Sequence, residues 1–527
     1  MTEARHIMDG YKFHTAPFAH QHTALRRGAG KRAFAFLMDQ GLGKTKVTID
    51  NVAALYEHKV VDGVLLLALN GVDEQWLNEQ IPLHMPPRIP VRSALWEASS
   101  RRRERECTEL CTKPLPNRLA ILAMNHEALA TKRGQAMALR FMRQYKVCIV
   151  VDESHEFKGM TASRTRFLLG KLAPLSVARR ILTGTPTEKP FDIYAQMQFL
   201  DPRILGFDSF VAFKRHYGVW TTEFVKRVNP KTGKTFLQPY PSLQQYQRLE
   251  ELEQRLAKFS YRVKKEDCTD LPPKLYSVRQ CTMTDAQRAL YNQVKEHGVA
   301  LLEQAEAGKA VRLLPFDDLD EEDIVAAVAT PANRLTYKIK LTLMLRLQQI
   351  SGGFVTDDAG TVRAIDKEPN HKQRAALSLV EAALDGAAKV VVWCVFRAEV
   401  QALAKLLPLA TYIDGSVQGA ERAARLAAFK DPRCSTVRVM VANERTIGTG
   451  QNLQVAQTAL YYSNSGRFIR RTQSEDRLHR IGQTGTVNIY DLIASPADAR
   501  MVQLVRDKEA VNTLLWTPNA AQLKEEL

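Results

Sequence analysis

Two stretches of the chain alternate short apolar, β-rich runs with longer segments of helical periodicity, and this pattern constrains the fold more than any other feature. In the first stretch the apolar runs are residues 33–38, 61–69, 119–124, 146–151 and 180–182. In the second they are residues 389–396, 411–413, 437–441, 458–462 and 487–492. Apolar strands that alternate with helices predict parallel sheets covered by helices on both faces. We therefore predict an α/β fold with two such lobes.

The segment between the two lobes has a different character. Long helical stretches at residues 242–259, 285–306 and 331–350 are broken by Pro272-Pro273 and by an acidic run at 317–323. We interpret this segment as a helical insertion plus linker, and the acidic run as a solvated loop. The predicted divisions are therefore a first lobe at 1–200, the insertion at 201–370 and a second lobe at 371–527. A chain of 527 residues is also too long for one ordinary domain.

The amino-acid composition indicates which class of molecule the protein binds and where it is found. Lys and Arg number 74 against 57 Asp and Glu, a net charge of +17, which favours nucleic acid as partner ahead of a membrane surface. No stretch reaches the roughly 18 apolar residues of a membrane span, and the N-terminus lacks the apolar core of a signal peptide. The seven cysteines are scattered without metal-ligand spacing. We expect a cytoplasmic protein without a membrane partner.

A glycine-rich loop follows the first apolar run and opens a helical segment. It consists of Gly41, Leu42, Gly43, Lys44 and Thr45. Glycines let backbone N–H groups turn toward phosphate oxygens, and the helix N-terminus adds a favourable dipole. Lys44 would reach the β- and γ-phosphates, and Thr45 would bind Mg²⁺. The strict pattern has glycine where Met38 stands, so a simple glycine turn with a surface lysine remains the alternative.

Adjacent acids follow another apolar run, at 146–151. Asp152 and Glu153 could hold the metal and position the attacking water of a nucleotide hydrolase. Taken alone, such a pair could merely favour a helix dipole. Two further signals lie downstream: Thr183–Pro186, straight after a strand, and Arg477 with Arg480, which would share one face of a helix. These guanidiniums could stabilise a γ-phosphate, although a solvated basic helix would show the same spacing.

These residues resemble the motifs of the Snf2-like branch of superfamily 2 helicase-type ATPases, in order and over nearly the whole chain. The loop at 41–45 is similar to motif I, the acids at 152–155 to motif II, and Thr183–Pro186 to motif III. Residues 448–453, which include Gly450, resemble motif V, and 477–483 (R-L-H-R-I-G-Q) resemble motif VI. Gln21 stands where the family places an adenine-contacting glutamine. Trp76 and Glu79 are similar to motif Ia, and 125–127 lie in the motif Ib region.

The middle of the chain fits as well, because residues 261–267 and 271–274 resemble the basic segment and Leu-Pro-Pro turn of the family. One departure concerns the region before motif VI. Many relatives carry an Asp and a Trp-Asn-Pro triplet there, where this chain has Ser463 and Gly466-Arg467-Phe468. That stretch is more similar to small bacterial or phage members, and we therefore expect the protein in a bacterial cell or a phage-infected host.

The resemblance implies two RecA-like lobes that use ATP and Mg²⁺. Asp152 would then coordinate the metal together with Thr45, Glu153 would orient water, and Arg477 and Arg480 would act from the second lobe. The implied activity is DNA-dependent ATP hydrolysis coupled to translocation on double-stranded DNA, with contacts mainly to phosphates. Such motors remodel DNA or protein–DNA complexes.

The nucleic-acid contacts are harder to place. The densest basic cluster is Arg101, Arg102, Arg103 and Arg105, which we interpret as part of an inserted loop that contacts DNA. Three alternatives to a duplex translocase stay open: a strand-separating DNA or RNA helicase, the motor subunit of a larger defence or replication assembly with a protein partner, and an inactive binding module. The last is disfavoured because every residue assigned to the ATP site is present.

Overall fold

The computed structural model describes residues 7–113, 116–184, 189–228, 235–267, 271–306, 331–356, 361–386, 388–444, 446–447, 451–480 and 482–506. These residues form two compact units. The first comprises 1–225 and 239–270, and the second comprises 226–238 and 271–527. The predicted three-part division stays a prediction.

The first unit is built on a seven-stranded sheet in which every neighbouring pair is parallel, in the order β3-β4-β2-β5-β6-β1-β9. Its strands are β1 (Ala33–Met38), β2 (Gly63–Ala68), β3 (Val91–Leu95), β4 (Leu119–Asn125), β5 (Val147–Asp152), β6 (Ala178–Leu182) and β9 (Ser260–Val263). Five of them were predicted from their apolar runs. Strands β3 and β9 were missed, because β3 is half-exposed and β9 has only four residues.

Helices connect these strands, as parallel pairing requires. They are α1 (Ala19–Gly28), α2 (Lys44–Glu57), α3 (Val72–Gln75), α4 (Ile81–His84), α5 (Arg101–Thr112), α6 (Lys132–Gln144), α7 (Ser163–Phe167), α8 (Ile193–Leu200), α9 (Phe210–Tyr217) and α10 (Leu249–Ala257). A π-helical turn at Trp76–Gln80 separates α3 from α4, and another lies at Leu168–Leu172. The chain also forms 3₁₀ turns, at His126–Ala130, Ser154–Phe157, Ala173–Leu175, Pro190–Asp192 and Lys265–Asp267.

The second unit has a six-stranded sheet, again parallel throughout, in the order β10-β17-β16-β13-β15-β14. Its strands are β10 (Lys274–Gln280), β13 (Lys389–Cys394), β14 (Ala410–Ile413), β15 (Val439–Asn443), β16 (Ala456–Tyr461) and β17 (Val487–Ile493). Its helices are α11 (Asp285–Glu306), α12 (Pro331–Ser351), α13 (His371–Asp385), α14 (Arg397–Leu406), α15 (Gly419–Lys430), α16 (Phe468–Glu475) and α17 (Pro496–Arg506). Two small two-stranded sheets pair β7 (Gly218–Val228) with β8 (Thr235–Tyr246), and β11 (Phe354–Thr356) with β12 (Val362–Ala364).

Strand β13 shows why the second sheet is covered on both faces. Val391 and Trp393 belong to one apolar cluster, whereas Val390, Val392 and Cys394 belong to another on the opposite face. Because successive side chains of a strand point to opposite faces, a strand that is apolar at every position needs helices on both sides. The predicted class, two α/β lobes built on parallel sheets that are covered by helices, is therefore confirmed.

Two details of the middle segment and one of the first unit differ from expectation. The predicted helix at 242–259 is wrong in its first part, which is the end of β8; α10 begins only at Leu249. The middle segment is also not purely helical. Strand β9 belongs to the seven-stranded sheet, and β10 belongs to the six-stranded sheet. The basic cluster at Arg101 is not an inserted loop but the first turn of α5, where the Ser100 hydroxyl accepts a hydrogen bond from the Arg103 N–H. The acidic run at 317–323 lies outside the described residues.

Candidate functional site

The candidate site of the first unit lies where three neighbouring strands end. Strands β5, β6 and β1 are consecutive in the sheet, and their carboxyl ends carry Asp152, Thr183 and the glycine-rich loop. In parallel α/β sheets, ligands bind at this edge. Motifs that are more than a hundred residues apart in sequence are thus brought together by the strand order alone.

The backbone of the glycine-rich loop is left-handed at two positions. Gly41 and Gly43 lie at φ +85° and +79°, in the left-handed region that favours glycine. A Cβ on Gly43 would also clash with the side-chain amide of Gln21. The Lys44 ammonium is buried against the loop and donates to the carbonyl oxygens of Met38 (2.8 Å) and Asp39 (3.3 Å). The loop therefore holds a cation beside the N-terminus of the 14-residue helix α2.

Gln21 is held rigidly against this loop by the first turn of α1. Its Oε1 accepts from the Phe18 N–H and its Nε2 donates to the Leu42 carbonyl oxygen, both at 3.0 Å. His20 contacts the same carbonyl through Nε2 at 2.9 Å, so its Nε2 carries the proton. The Phe18 ring is 52% exposed and stacks on His20 with centroids 5.8 Å apart. An exposed aromatic residue therefore lies next to Gln21, which sequence reasoning did not predict.

The acidic pair has two different environments. Asp152 accepts a hydrogen bond from the Trp76 indole N–H at 2.9 Å through Oδ2, and one from the Glu153 backbone N–H at 3.0 Å through Oδ1. Glu153 has a φ of +46°, a left-handed conformation that costs a non-glycine residue about 1–3 kcal/mol and is concentrated at functional sites. The backbone thus changes from the strand conformation at Asp152 to a left-handed conformation at Glu153, between the two adjacent carboxylates.

Three polar side chains surround the Glu153 carboxylate. Gln40 donates to Oε1 at 3.3 Å, Thr183 donates to Oε2 at 3.5 Å, and His155 lies 3.4 Å from Oε2 through Nδ1. Burial alone would raise the pKa of Glu153, but the hydrogen bond and charge of His155, together with the charge of Lys44, hold it below its ordinary value. Glu153 is therefore ionised at neutral pH.

The pKa of Asp152 moves in the opposite direction. Burial, followed by the charge of Glu153, raises it to about 6. The pKa of His155 is also raised: burial opposes its charged form, but the hydrogen bond and charge of Glu153 outweigh that effect. Such pairs of titratable groups with diverging environments are typical of catalytic sites.

The two predicted arginines lie in the second unit, and one part of their prediction is wrong. Helix α16 ends at Glu475, so Arg477 and Arg480 follow it in turns and do not share a helix face. Arg477 is 5% exposed, and its guanidinium lies 5.5 Å from the Trp393 ring centroid. Among the residues that the structure describes, its Nη1 has no hydrogen-bond partner. Burial lowers the pKa of Arg477 to about 10, and it also lowers the pKa of Arg480.

A third arginine nearby has a different role. Arg471 is buried, donates to Asp491 through Nη1 (2.6 Å) and Nη2 (3.2 Å), and donates to Glu475 through Nε (2.7 Å). Its guanidinium carbon lies 3.3 Å from the centroid of the Tyr461 ring. The charge of Arg471 is thus used inside the unit and is not available to a phosphate.

Parts of motifs III and V fall outside the described residues, namely Thr185 with Pro186, and residues 448–450 with Gly450. In the part of motif III that the structure describes, Gly184 packs against the loop. A Cβ there would lie 3.1 Å from the Gln40 backbone nitrogen.

Comparison with known proteins places this arrangement in a family. The model of the SNF2-related domain matches residues 30–324, more than half of the chain. The chain belongs to the SNF2-related family. Among its relatives is the chromatin structure-remodeling complex subunit snf21 of Schizosaccharomyces pombe, 24% identical over 479 residues. The match covers 86% of this chain and 35% of that protein.

Other relatives of this SNF2-related chain include a bacterial protein, the uncharacterized ATP-dependent helicase MG018 of Mycoplasma genitalium. It is 22% identical over 368 residues, which cover 68% of this chain and 30% of that protein. The chain therefore spans about a third of the length of these curated relatives. A solved structure, the Sulfolobus solfataricus SWI2/SNF2 ATPase core in complex with dsDNA, matches with 20% identity and a TM-score of 0.39, covering 98% of this chain and 96% of that one.

The basic cluster of the SNF2-related chain is only partly open to a ligand. Arg101, Arg102 and Arg105 are exposed on α5, and Arg102 pairs with Glu106 of the same helix at 3.3 Å. Arg103 is partly buried and pairs with Glu74 at 2.9 Å and with Glu97 at 3.0 Å. Three of the four predicted contacts thus face solvent, and the fourth links elements of the unit. Among the described residues, no helix is long and apolar enough to span a membrane.

Proposed function

We propose that the chain is a DNA-dependent ATPase that couples ATP hydrolysis to translocation on double-stranded DNA. The observation that carries this proposal is the convergence of three strand ends in the first unit. The glycine-rich loop with Lys44, the pair Asp152 and Glu153, and the Thr183 hydroxyl lie at one edge of a parallel sheet. Two relatives whose printed names denote a remodeling-complex subunit and an ATP-dependent helicase support the assignment.

ATP would be held by the first unit. The backbone N–H groups of the loop at 41–45 would bind the phosphates, and the Lys44 ammonium would exchange its two carbonyl contacts for phosphate oxygens. Exposed Phe18 next to Gln21 suits a purine base, because an exposed aromatic side chain can offer a stacking surface.

The residues at the loop fit a magnesium ion. Thr45 and Asp152 offer a hydroxyl and a carboxylate, and Mg²⁺ prefers oxygen ligands. No group of three or more His, Cys, Asp or Glu side chains that could hold a metal occurs among the described residues. That fits an ion held by one or two protein oxygens plus nucleotide phosphates. When bound, Mg²⁺ would neutralise charge that develops on the transferred phosphate.

Glu153 would orient the attacking water. Its carboxylate is ionised, and Gln40, Thr183 and His155 fix both of its oxygens, so that it offers a held acceptor to one water molecule. We propose that Arg477 and Arg480 supply positive charge to the phosphate in the transition state. Within the described part of the chain, Nη1 of buried Arg477 has no hydrogen-bond partner. This supports the proposed role, because a buried cationic donor without a partner is costly unless a ligand completes it.

Double-stranded DNA is the proposed polymer. The net charge of +17 and the exposed arginines of α5 favour a phosphate backbone, and contacts to phosphates predict binding with steep salt dependence and little sequence preference. We also propose a protein partner, because the relative snf21 is named as the subunit of a complex. The cytoplasmic location and the phage or bacterial origin stay predictions.

The test is steady-state ATP hydrolysis by the purified chain, alone and with duplex DNA, single-stranded DNA or RNA. We expect duplex DNA to stimulate turnover most, and Glu153→Gln to bind ATP but lose at least about 100-fold in kcat. Glu381→Gln removes an exposed carboxylate from α13 and is the control. Stimulation chiefly by single strands or RNA would instead indicate a strand-separating helicase. Full turnover by Glu153→Gln would refute the role of Glu153.

A further inference from the structure

Trp76 lies at the edge of the large sheet of the first unit where strand β5 ends. Strands β2 and β5 are neighbours, with Leu67 paired to Val151, so the segment that follows β2 lies at the carboxyl end of β5. Trp76 is 5% exposed there, and its indole N–H donates to Asp152 Oδ2 at 2.9 Å. Since the other oxygen of Asp152 accepts from the Glu153 backbone N–H, both carboxylate oxygens are fixed.

The segment that carries Trp76 is irregular but firmly anchored. Helix α3 has only four residues, and the π-helical turn begins at Trp76 itself. Single π-helical turns occur frequently at functional sites. The start of α3 is pinned by Asp73, whose Oδ1 accepts from the backbone N–H groups of Gly71 and Glu74, each at 2.9 Å. A displacement of α3 would therefore move Trp76 with it.

Arg103 connects this segment to the basic helix α5. It pairs with Glu74, two residues before Trp76, and with Glu97, just before α5. The side chains of this ion-pair triad are 27–47% exposed, so the triad contributes little to stability. Its consequence is geometric, because it ties the start of α5, where Arg101 and Arg102 face solvent, to the helix that positions Trp76.

We propose that Trp76 is a positioning residue for Asp152, and that the Arg103–Glu74 ion pair makes this positioning respond to a phosphate backbone bound at the start of α5. This inference rests on the proposed function, because it names the route by which nucleic acid would stimulate hydrolysis. Contact of α5 with phosphates shifts α5, Arg103 carries the shift to α3, and the Trp76 N–H carries it to the metal-holding carboxylate. Such a route requires residues whose variants show energetic coupling.

The first experiment replaces the indole while keeping an aromatic ring. Trp76→Phe removes the N–H donor. Side chains that hydrogen-bond to metal ligands typically account for about 10- to 100-fold in metal affinity or activity. We expect kcat to fall about tenfold or more, the KM for ATP to change less than threefold, and the Mg²⁺ concentration for half-maximal binding of a fluorescent ADP analogue to rise.

Trp96→Phe is the matched control, since Trp96 is another core indole of the first unit, 3% exposed and just after β3. It should leave kcat and the Mg²⁺ requirement unchanged. A Trp76→Phe protein with a lowered melting temperature but normal kcat and Mg²⁺ requirement would overturn the positioning role.

The second experiment uses surface arginines, whose replacement should not impair folding. Arg103→Ala and Arg102→Ala each remove one positive charge from α5, but only Arg103 reaches α3. Arg102→Ala should weaken duplex binding at least as much as Arg103→Ala does, because the Arg102 side chain is 79% exposed and that of Arg103 is 27% exposed. At saturating duplex, Arg103→Ala should lose most of the stimulation of kcat and Arg102→Ala should retain it. Combining Arg103→Ala with Trp76→Phe should reduce stimulation no further than Trp76→Phe does alone.

Failure of this inference and failure of the proposed function give different results. A wild-type chain that neither hydrolyses ATP nor responds to nucleic acid refutes the proposed function, while the Mg²⁺-dependent binding comparison of Trp76→Phe with Trp96→Phe can still be read. A wild-type chain stimulated by duplex DNA, with Arg103→Ala stimulated as well as Arg102→Ala, refutes the coupling route alone.

Discussion

Arg471 provides a stability prediction whose size follows from its contacts. Its guanidinium makes four hydrogen bonds, to Asp491 (two), Glu475 and Asn464, and lies over the Tyr461 ring. Arg471→Met keeps much of the volume but leaves two buried carboxylates without this partner. Breaking a buried pair by removing one member costs about 3–5 kcal/mol, because the remaining charge is uncompensated.

Two neighbouring cations reduce that cost. Arg506 also pairs with Asp491, at 3.1 Å, and Lys274 pairs with Glu475, at 2.9 Å. We therefore expect the lower end of the range, a loss of about 3 kcal/mol in the free energy of unfolding of the second unit. That is a large fraction of the stability of a typical domain.

The assay is urea unfolding of the full chain followed by circular dichroism, with Arg433→Met as an exposed control that should cost less than about 0.5 kcal/mol. The double variant Arg471→Met with Asp491→Asn should recover part of the loss, because one of the two buried charges is removed with its partner. A cost below about 1 kcal/mol for Arg471→Met would refute the claim that this charge is structural.

The stability lost in Arg471→Met should depend on pH through Glu475. Burial would raise the pKa of Glu475, but Lys274 and Arg471 hold it below its ordinary value of 4.5. Such a group contributes stability that is present above its unfolded-state pKa and is lost as pH falls through the folded-state pKa. Without Arg471 the pKa of Glu475 would rise, so the deficit of Arg471→Met relative to wild type should shrink as pH falls from 7 toward 4. A deficit that grows over this window would contradict the assignment.

Two further predictions concern one position in each unit. Gly43→Ala should weaken binding of a fluorescent ADP analogue at least about tenfold, because Gly43 lies at φ +79° and a Cβ would displace Gln21. Unchanged binding in a fluorescence titration would show that the loop tolerates a side chain. Burial raises the pKa of Glu399 from 4.5 to about 7, so the folded state binds a proton more tightly than the unfolded state does. The free energy of unfolding should therefore fall by about 3 kcal/mol as pH rises from 4.5 to 7. Glu399→Gln should flatten that part of the profile of unfolding free energy against pH, and an equally steep profile would show that another group titrates.

Much of the fold follows from local sequence signals. The runs at 33–38 and 389–394 are apolar at nearly every position, and only a strand covered on both faces accommodates that. The glycine-rich loop was found because its glycines are needed for two positive φ angles. The order of the strands could not be predicted in this way, because it depends on pairing between segments that are distant in sequence. That order brings Thr183 and Glu153 within hydrogen-bond distance.

Other features were missed for identifiable reasons. The first turn of α5 was interpreted as a loop because its basic residues hid the helical spacing of Cys107, Leu110 and Cys111, which are buried against the sheet. Arg477 and Arg480 were placed on one helix face because no glycine or proline marks the end of α16 at Glu475. The resemblance to motif Ia singled out Trp76, but its partner Asp152 is 76 residues away and follows only from the adjacency of β2 and β5.

The most direct test of the central claim is ATP-dependent displacement of a third strand from a DNA triplex, because it requires movement along the duplex and not merely stimulated hydrolysis. We expect the wild-type chain to displace the third strand with ATP and Mg²⁺, and displacement to weaken steeply with salt. Glu153→Gln should bind the triplex without displacing it. Duplex-stimulated hydrolysis without any displacement would contradict the claim that this SNF2-related chain is a translocase.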